Sequence, residues 1–265
     1  GGSYGPTSIQ DARGNLTGFA YDTLGNEKSI TDALSHLSRF DYAAGFGDSR
    51  LIFSESGTGL GEYRTYDSTG NLKSIMEGVQ PVRDANGNLT GYYPTSLLTQ
   101  YAYDLNGNLT GVTDANNKTA NFLYDSVGNL TKVTDALQKS TDLFYETAGL
   151  EKTNRLSSIR DPLGRLVNFS YDPVSENVKR VSTAAGETNY TYDVSKRLST
   201  IQNALGRVTQ FSYNDQHDKI IETRELGNAT DPLDDIVAAF DYDRFGNLIS
   251  LAGPLGGATS LTYDL

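Results

Sequence analysis

Phe122-Leu123-Tyr124-Asp125-Ser126-Val127-Gly128-Asn129-Leu130-Thr131-Lys132-Val133-Thr134-Asp135-Ala136-Leu137 holds every feature on which the fold depends. Phe122 and Tyr124 stand two residues apart, which in an extended chain places both rings on one face. Asp125-x-x-Gly128-Asn129 has Asp at the first and Gly at the fourth position, the preference of a type I turn. The Asp carboxylate can accept from the backbone N–H two residues on, and Gly can take the positive φ of a following bulge. About six residues later Asp135-Ala136-Leu137 opens a second turn, and six residues is an ordinary strand length.

The unit recurs. Tyr103, Tyr124 and Tyr145 are 21 residues apart, as are Tyr171, Tyr192 and Tyr213, then Tyr242 and Tyr263, and Tyr21 and Tyr42. The first turn returns at Asp22–Asn26, Asp67–Asn71, Asp104–Asn108 and Asp243–Asn247, and without a preceding tyrosine at Asp11–Asn15 and Asp84–Asn88. The second returns at Asp32, Asp161-Pro162-Leu163-Gly164, Asn203 and Gly253. A fixed period of this length marks a repeat architecture. The spacing predicts an all-β fold, an antiparallel meander of repeated β-hairpins with about 21 residues per repeat and roughly 25 strands in all. Sheet twist accumulates over so many strands, so the expectation is a curled β-ribbon, open and single-layered, with the Phe-x-Tyr pairs on one face and polar residues on the other. One pattern resists simple alternation: Leu72/Ile75, Leu109/Val112, Leu130/Val133, Leu198/Ile201 and Leu248/Leu251 are three apart. We assign the Leu to a bulge at the turn, which shifts the pleat by one residue.

Residues 1–10 read as a tag remnant and lead-in, with Gly1-Gly2-Ser3 as an expression scar, and 11–265 as a single array of repeats. Three intervals are stretched: 37 residues from Tyr66 to Tyr103, 26 from Tyr145 to Tyr171, and 29 from Tyr213 to Tyr242. They predict longer loops near 76–102, 146–158 and 224–239, where insertions at a sheet rim are tolerated.

The formal charge of −11 is spread without an acidic block, and no basic stripe interrupts it. Such a surface repels nucleic acid and other polyanions. No cysteine is present, which removes disulfides and thiolate metal sites while fitting either redox compartment. No apolar run approaches the roughly 20 residues of a membrane-spanning helix.

The tyrosine–aspartate pair, the Gly-Asn that follows, the Leu, the Thr-Asp and the Leu-Gly-Arg turn resemble the YD repeats of the Rhs family, from about Asp11 to Leu265. The resemblance implies a curled β-ribbon. In bacterial Rhs toxins and insecticidal toxin complexes that ribbon winds into a hollow shell around a toxic C-terminal domain; in teneurins a related shell serves cell-surface recognition. The implied function is a structural scaffold, a segment of a shell that encapsulates or presents a toxin or effector domain, in a secreted or cell-surface setting. Its partners would be the rest of the parent polypeptide or the cargo. The alternative is a recognition module for glycans or a protein, with Gly91-Tyr92-Tyr93-Pro94 and Gly57–Gly61 as contact loops. Shell-forming relatives are much longer and carry a self-cleaving core that has no counterpart here, so the chain reads as a fragment. Its unpaired end strands are expected to self-associate edge to edge or to be kept apart by charge.

No catalytic, cofactor-binding or metal-binding residue is predicted, and the chain is read as not an enzyme. His36 and His217 are the only histidines and neither sits in a ligand spacing. Gly57-Thr58-Gly59-Leu60-Gly61 lacks the Gly-Lys-Ser/Thr ending of a phosphate loop and reads as a hairpin tip. Asp84–Asn88 and Asp104–Asn108 superficially suggest calcium loops, but no acidic residue closes them at the twelfth position. Asp161–Gly164 resembles part of the self-cleaving core only superficially and occupies a second-turn position. Asn15, Asn88, Asn108, Asn117, Asn129, Asn168, Asn189 and Asn228 stand in Asn-x-Ser/Thr and would be glycosylation candidates in a secreted eukaryotic protein. The repeated tyrosines could stack sugars, yet their fixed phase with the preceding aromatic favours packing or lining.

Overall fold

The computed structural model describes residues 5–43, 50–148, 151–214, 216, 219–226, 235–253 and 256–263, with the backbone alone at 148 and 151–153. It divides into two compact units, Gly1–Ser140 and Thr141–Leu265. The first carries β1 (Ser8–Gln10), β2 (Leu16–Tyr21), β3 (Glu27–Thr31), β4 (Leu37–Tyr42), β5 (Leu51–Glu55), β6 (Gly61–Tyr66), β7 (Leu72–Arg83), β8 (Leu89–Tyr93), β9 (Leu98–Tyr103), β10 (Leu109–Thr113), β11 (Thr119–Tyr124) and β12 (Leu130–Thr134). In the second, from β13 (Ser140–Ala148), follow β14 (Glu151–Arg160), β15 (Leu166–Tyr171), β16 (Val178–Thr183), β17 (Gly186–Tyr192), β18 (Leu198–Gln202), β19 (Val208–Tyr213), β20 (Ile220–Leu226), β21 (Ile236–Tyr242), β22 (Leu248–Ala252) and β23 (Ala258–Ser260). The described residues thus contain 23 strands against the roughly 25 expected. All pairings are antiparallel between neighbours in sequence, as a meander requires, except around β8. Among the described residues β1 pairs with β2 alone and β23 with β22 alone, so the meander is open.

The three-residue spacing has the anticipated cause. Tyr124 lies opposite Leu130, Leu123 opposite Lys132 and Phe122 opposite Val133, which leaves Thr131 as the extra residue of a bulge. Leu130 and Val133 therefore face the same side as Tyr124 and Phe122, although three residues separate them. The same shift places Leu198 and Ile201 opposite Tyr192 and Tyr190, and Leu248 and Leu251 opposite Tyr242 and Phe240.

Both kinds of turn share one geometry. At Asp125–Asn129 the N–H of Gly128 donates to the Asp125 carbonyl at 3.1 Å and that of Asp125 to the Asn129 carbonyl at 2.9 Å. Gly128 sits at φ 90°. At Asp135–Lys139 the same two bonds form, yet Gln138 takes the fourth position at φ 64°, a region that L-residues with side chains seldom enter. The Asp side chain braces this turn as Asp125 braces its own: Asp135 Oδ1 accepts from the N–H groups of Leu137 and Lys139 at 2.8 and 2.9 Å.

A single-layer sheet buries little, and among the described residues only Phe53 and Val79 are fully enclosed apolar side chains. Both lie where the meander departs from its expected form. The stretch read as a longer loop near 76–102 is paired strand: β7 runs on past its partner, and its second half forms a hairpin with β8, while β9 returns to pair with Ser74–Met76 in the first half. The extra Asp84–Asn88 turn is the tip of that hairpin. Gly78, at φ 68°, is the bulge residue between the two halves, and only glycine takes that backbone without strain. The stretch near 146–158 is likewise the β13/β14 hairpin. The stretch near 224–239 lies largely outside the described residues.

Candidate functional site

Two constructions in the chain do more than form turns. One is a row of ties at the tyrosine-side rim. Tyr66 donates its hydroxyl proton to the Leu51 carbonyl at 2.7 Å, Tyr171 to Leu156 at 2.7 Å, Tyr213 to Leu198 at 2.8 Å and Tyr263 to Leu248 at 2.9 Å. The acceptor in each case is the residue at the bulge position of the preceding hairpin, fifteen positions earlier. Each tyrosine thus fastens its own hairpin to the previous one, where the strands separate toward the turns. Burial raises the Tyr42, Tyr171, Tyr192 and Tyr213 phenols above the ordinary value and keeps them as donors. The aspartates beside the tyrosines hold the turns. The Asn108 side-chain amide, then its backbone N–H, lower the Asp104 carboxyl, and Asn247 does the same for Asp243.

The other construction is the β7/β8 hairpin, a flap folded over the ribbon face opposite the Phe40 and Tyr42 rings. Asp41, Phe53 and Tyr63 lie side by side across β4, β5 and β6 on that face. Arg83 of the flap reaches down to them: its Nη1 and Nη2 donate to the two Asp41 oxygens at 3.3 and 2.8 Å, and Nε donates to Glu55 Oε2 at 3.0 Å. Nη1 also donates to the Gly87 carbonyl at the flap tip, at 2.9 Å. The guanidinium lies 5.7 Å above the Phe53 ring, and Tyr92 meets Tyr63 with ring centroids 4.2 Å apart. Burial disfavours the charge on Arg83, and the bonds and charges of Asp41 and Glu55 more than restore it. Glu55 is only 8% exposed, and its carboxylate meets Arg83 at 3.0 Å and Arg39 at 3.5 Å. Gly61 lets the layers close: a Cβ there would press into the Ser54 carbonyl and lie 2.7 Å from Phe53 Cζ.

The motifs noted in the sequence fall into turns. His36 closes the Asp32 turn, with Nδ1 2.8 Å from Asp32 Oδ2; His217 lies outside the described residues. Gly57–Gly61 contains the β5/β6 hairpin tip, with Gly59 at φ 81°. Asp84 and Asp104 spend their carboxylates on turn N–H groups, at 2.9 Å in each case. Asp161–Gly164 is a second turn, capped by Arg165 Nε on Asp161 Oδ2 at 2.6 Å. Among the described residues no group of three or more His, Cys, Asp or Glu side chains is placed to hold a metal ion. Tyr92, expected on a contact loop, is spent against Tyr63, whereas Tyr93 remains 63% exposed. The Arg83 cluster was not foreseen. Its signal was the additional hairpin turn inside the longest interval, together with Pro81, which has no N–H to give a third strand.

An open antiparallel ribbon of two-turn repeats, many of them tied to the last through a tyrosine, defines a YD-repeat structural protein. The pattern of the Teneurin YD-shell family matches residues 80–255, more than half of the chain, and the chain belongs to that family. No curated protein matches it. Among solved structures it is similar to the crystal structure of TcdB2-TccC3-TEV, at 16% identity and a TM-score of 0.66, covering 97% of this chain. It is also similar to that of TcdB2-TccC3 without the hypervariable C-terminal region, at 16% identity, a TM-score of 0.67 and the same coverage. At this identity the likeness establishes the fold. The chain spans 15% of the length of those two chains.

Proposed function

We propose that this chain is a segment of the wall of a YD-repeat β-shell that encapsulates or presents a toxin or effector domain, in a secreted or cell-surface protein. The observation that carries the reading is the tyrosine tie. A recurring bond from a hairpin to the bulge carbonyl of the one before, as at Tyr66, Tyr171, Tyr213 and Tyr263, is a device for propagating a ribbon. Membership of the YD-shell family supports the same reading. The partners are then the neighbouring repeats of the parent polypeptide and the enclosed domain. Limited proteolysis of the parent polypeptide tests this: the effector domain should resist cleavage while the ribbon is intact and become cleavable when several ties are removed by Tyr→Phe substitution. Equal cleavage with and without the ties would count against a wall.

A recognition role for glycans or a protein partner keeps one supporting feature, the exposed Tyr93 on the outer side of the flap. Loss of a saturable glycan-array or pull-down signal in Tyr93→Ser tests that reading.

A further inference from the structure

Arg50, Arg155 and Arg197 occupy one position of the repeat, immediately before the bulge residue whose carbonyl receives the next tyrosine. Each guanidinium lies over the ring of that next tyrosine: Arg50 at 5.5 Å from Tyr66, Arg155 at 5.3 Å from Tyr171 and Arg197 at 4.8 Å from Tyr213. Arg197 shows what the position offers, with Nε donating to Asp193 Oδ2 at 2.7 Å and Nη1 to the Asn214 carbonyl at 3.5 Å. The space between successive tyrosine-side turns is therefore a slot shaped for a guanidinium, bounded by an aromatic face and by oxygen acceptors.

Between the turns of Tyr66 and Tyr103 the position is held by Asn71, as it is by Asn26, Asn108, Asn129 and Asn247 in other repeats. The Asn71 amide is folded into its own turn, on Thr69 Oγ1 at 3.0 Å and Asp67 Oδ2 at 3.3 Å. A cleft of about 650 Å³ lies there, lined among others by Asp67, Asn71, Lys73, Tyr101, Tyr103 and Asp104. Among the described residues the Tyr103 hydroxyl makes no bond to a bulge carbonyl, unlike those of Tyr66, Tyr171 and Tyr213. Its charged lining is two carboxylates, Asp67 and Asp104, and one ammonium, Lys73, on a chain whose formal charge is −11. We infer that this cleft receives the guanidinium of an arginine presented by a partner polypeptide, in the manner in which Arg197 serves Tyr213. The planar group stacks on Tyr103 while its N–H fork meets Oδ2 of Asp67 or Asp104, sharing that oxygen with the Asn71 or Asn108 amide; an ammonium can do only one of these well. The inference stands independently of the shell reading.

Titration of the intact chain with N-acetyl-arginine-N′-methylamide, followed by NMR, tests it, with the blocked lysine analogue as comparison. The expected result is saturable shifts at Tyr101, Tyr103 and Asp104, with the lysine analogue severalfold weaker. Asn71→Arg supplies the missing group from within, in a position that three other repeats already use, so the fold should be kept and the arginine probe should no longer shift Tyr103. Tyr103→Leu should also abolish the response. The inference is overturned if no saturable shift occurs, if both probes bind equally, or if Asn71→Arg binds the arginine probe as the parent chain does.

Discussion

Arg83→Met isolates the device that holds the flap. The substitution keeps most of the side-chain length over Phe53 but leaves Asp41 and Glu55 facing each other under the hairpin without their shared cation. Their side chains are only 16% and 9% exposed. Removing one partner of a buried ion pair costs about 3–5 kcal/mol, because the remaining charge is stranded. Partial exposure of Asp41 and the remaining Arg39 contact with Glu55 argue for the lower end, about 3 kcal/mol. A repeat ribbon does not unfold as one unit, so a global melting curve is the wrong assay. Native-state hydrogen exchange reads the flap alone. The amides of Leu89–Tyr93 that bond to β7 should exchange about a hundredfold faster in Arg83→Met, since 1.4 kcal/mol is a factor of ten. Those of β10–β12 should be unchanged. Adding Asp41→Asn and Glu55→Gln to Arg83→Met should recover most of the loss by removing the stranded charges. Unchanged exchange in β8, or equal acceleration in every strand, would refute the claim that Arg83 is the fastening.

Gly61→Ala should weaken the same flap by driving a methyl group into the Ser54 carbonyl and the Phe53 ring, with faster β8 exchange than in the parent chain as the check. Gly128→Ala, at φ 90°, should destabilise the β11/β12 hairpin by about 1–2 kcal/mol in local exchange, whereas Gln138→Gly at φ 64° should leave the amides of the Asp135–Lys139 turn equally or better protected. Tyr213→Phe deletes the bond to the Leu198 carbonyl and should cost about 1 kcal/mol of local stability in β18 and β19. Acid should loosen the turns: Asp104, Asp161 and Asp243 have folded pKa values below the ordinary carboxylate value, so their contribution is complete above that value, near 3.9, and is lost as pH falls through the lower folded pKa. A pH titration of turn amide exchange that stayed flat through this range would contradict it. The tyrosines give the opposite limb. With folded pKa raised at Tyr171, Tyr192 and Tyr213, their stabilisation is full below the free phenol value of about 10 and fades above it.

Much of this architecture is written in local sequence. The Asp-x-x-Gly-Asn turns fix where strands end, the Phe-x-Tyr pairs fix which face they share, and the three-residue Leu–Val spacing already encodes a bulge at Leu130-Thr131. These are short-range effects, settled by five or six neighbouring residues. The role of the tyrosine hydroxyl was less legible. Its acceptor lies fifteen residues back on another hairpin, and the bond requires only a backbone carbonyl, which every residue has. The flap was hidden for a similar reason. Asp41, Glu55 and Arg83 are separated by up to 42 residues, and each alone reads as an ordinary solvated charge. The extra turn at Asp84–Asn88 announced a hairpin, yet nothing near it says that the hairpin folds down onto the sheet; Gly78 and Pro81 become informative only once the register of β7 is known. The same holds for the cleft at Tyr103, which is visible only after the hydroxyl bonds of Tyr66, Tyr171 and Tyr213 are laid over one another.

Cryo-electron microscopy of the parent polypeptide tests the central claim most directly. The account predicts that β1 and β23 each pair with a further strand of the same ribbon, that the tyrosine ties continue into those neighbouring hairpins, and that the wall they form encloses separate polypeptide density. A particle in which β1 and β23 end against solvent or a capping loop, with no enclosed chain beside the ribbon, would contradict it.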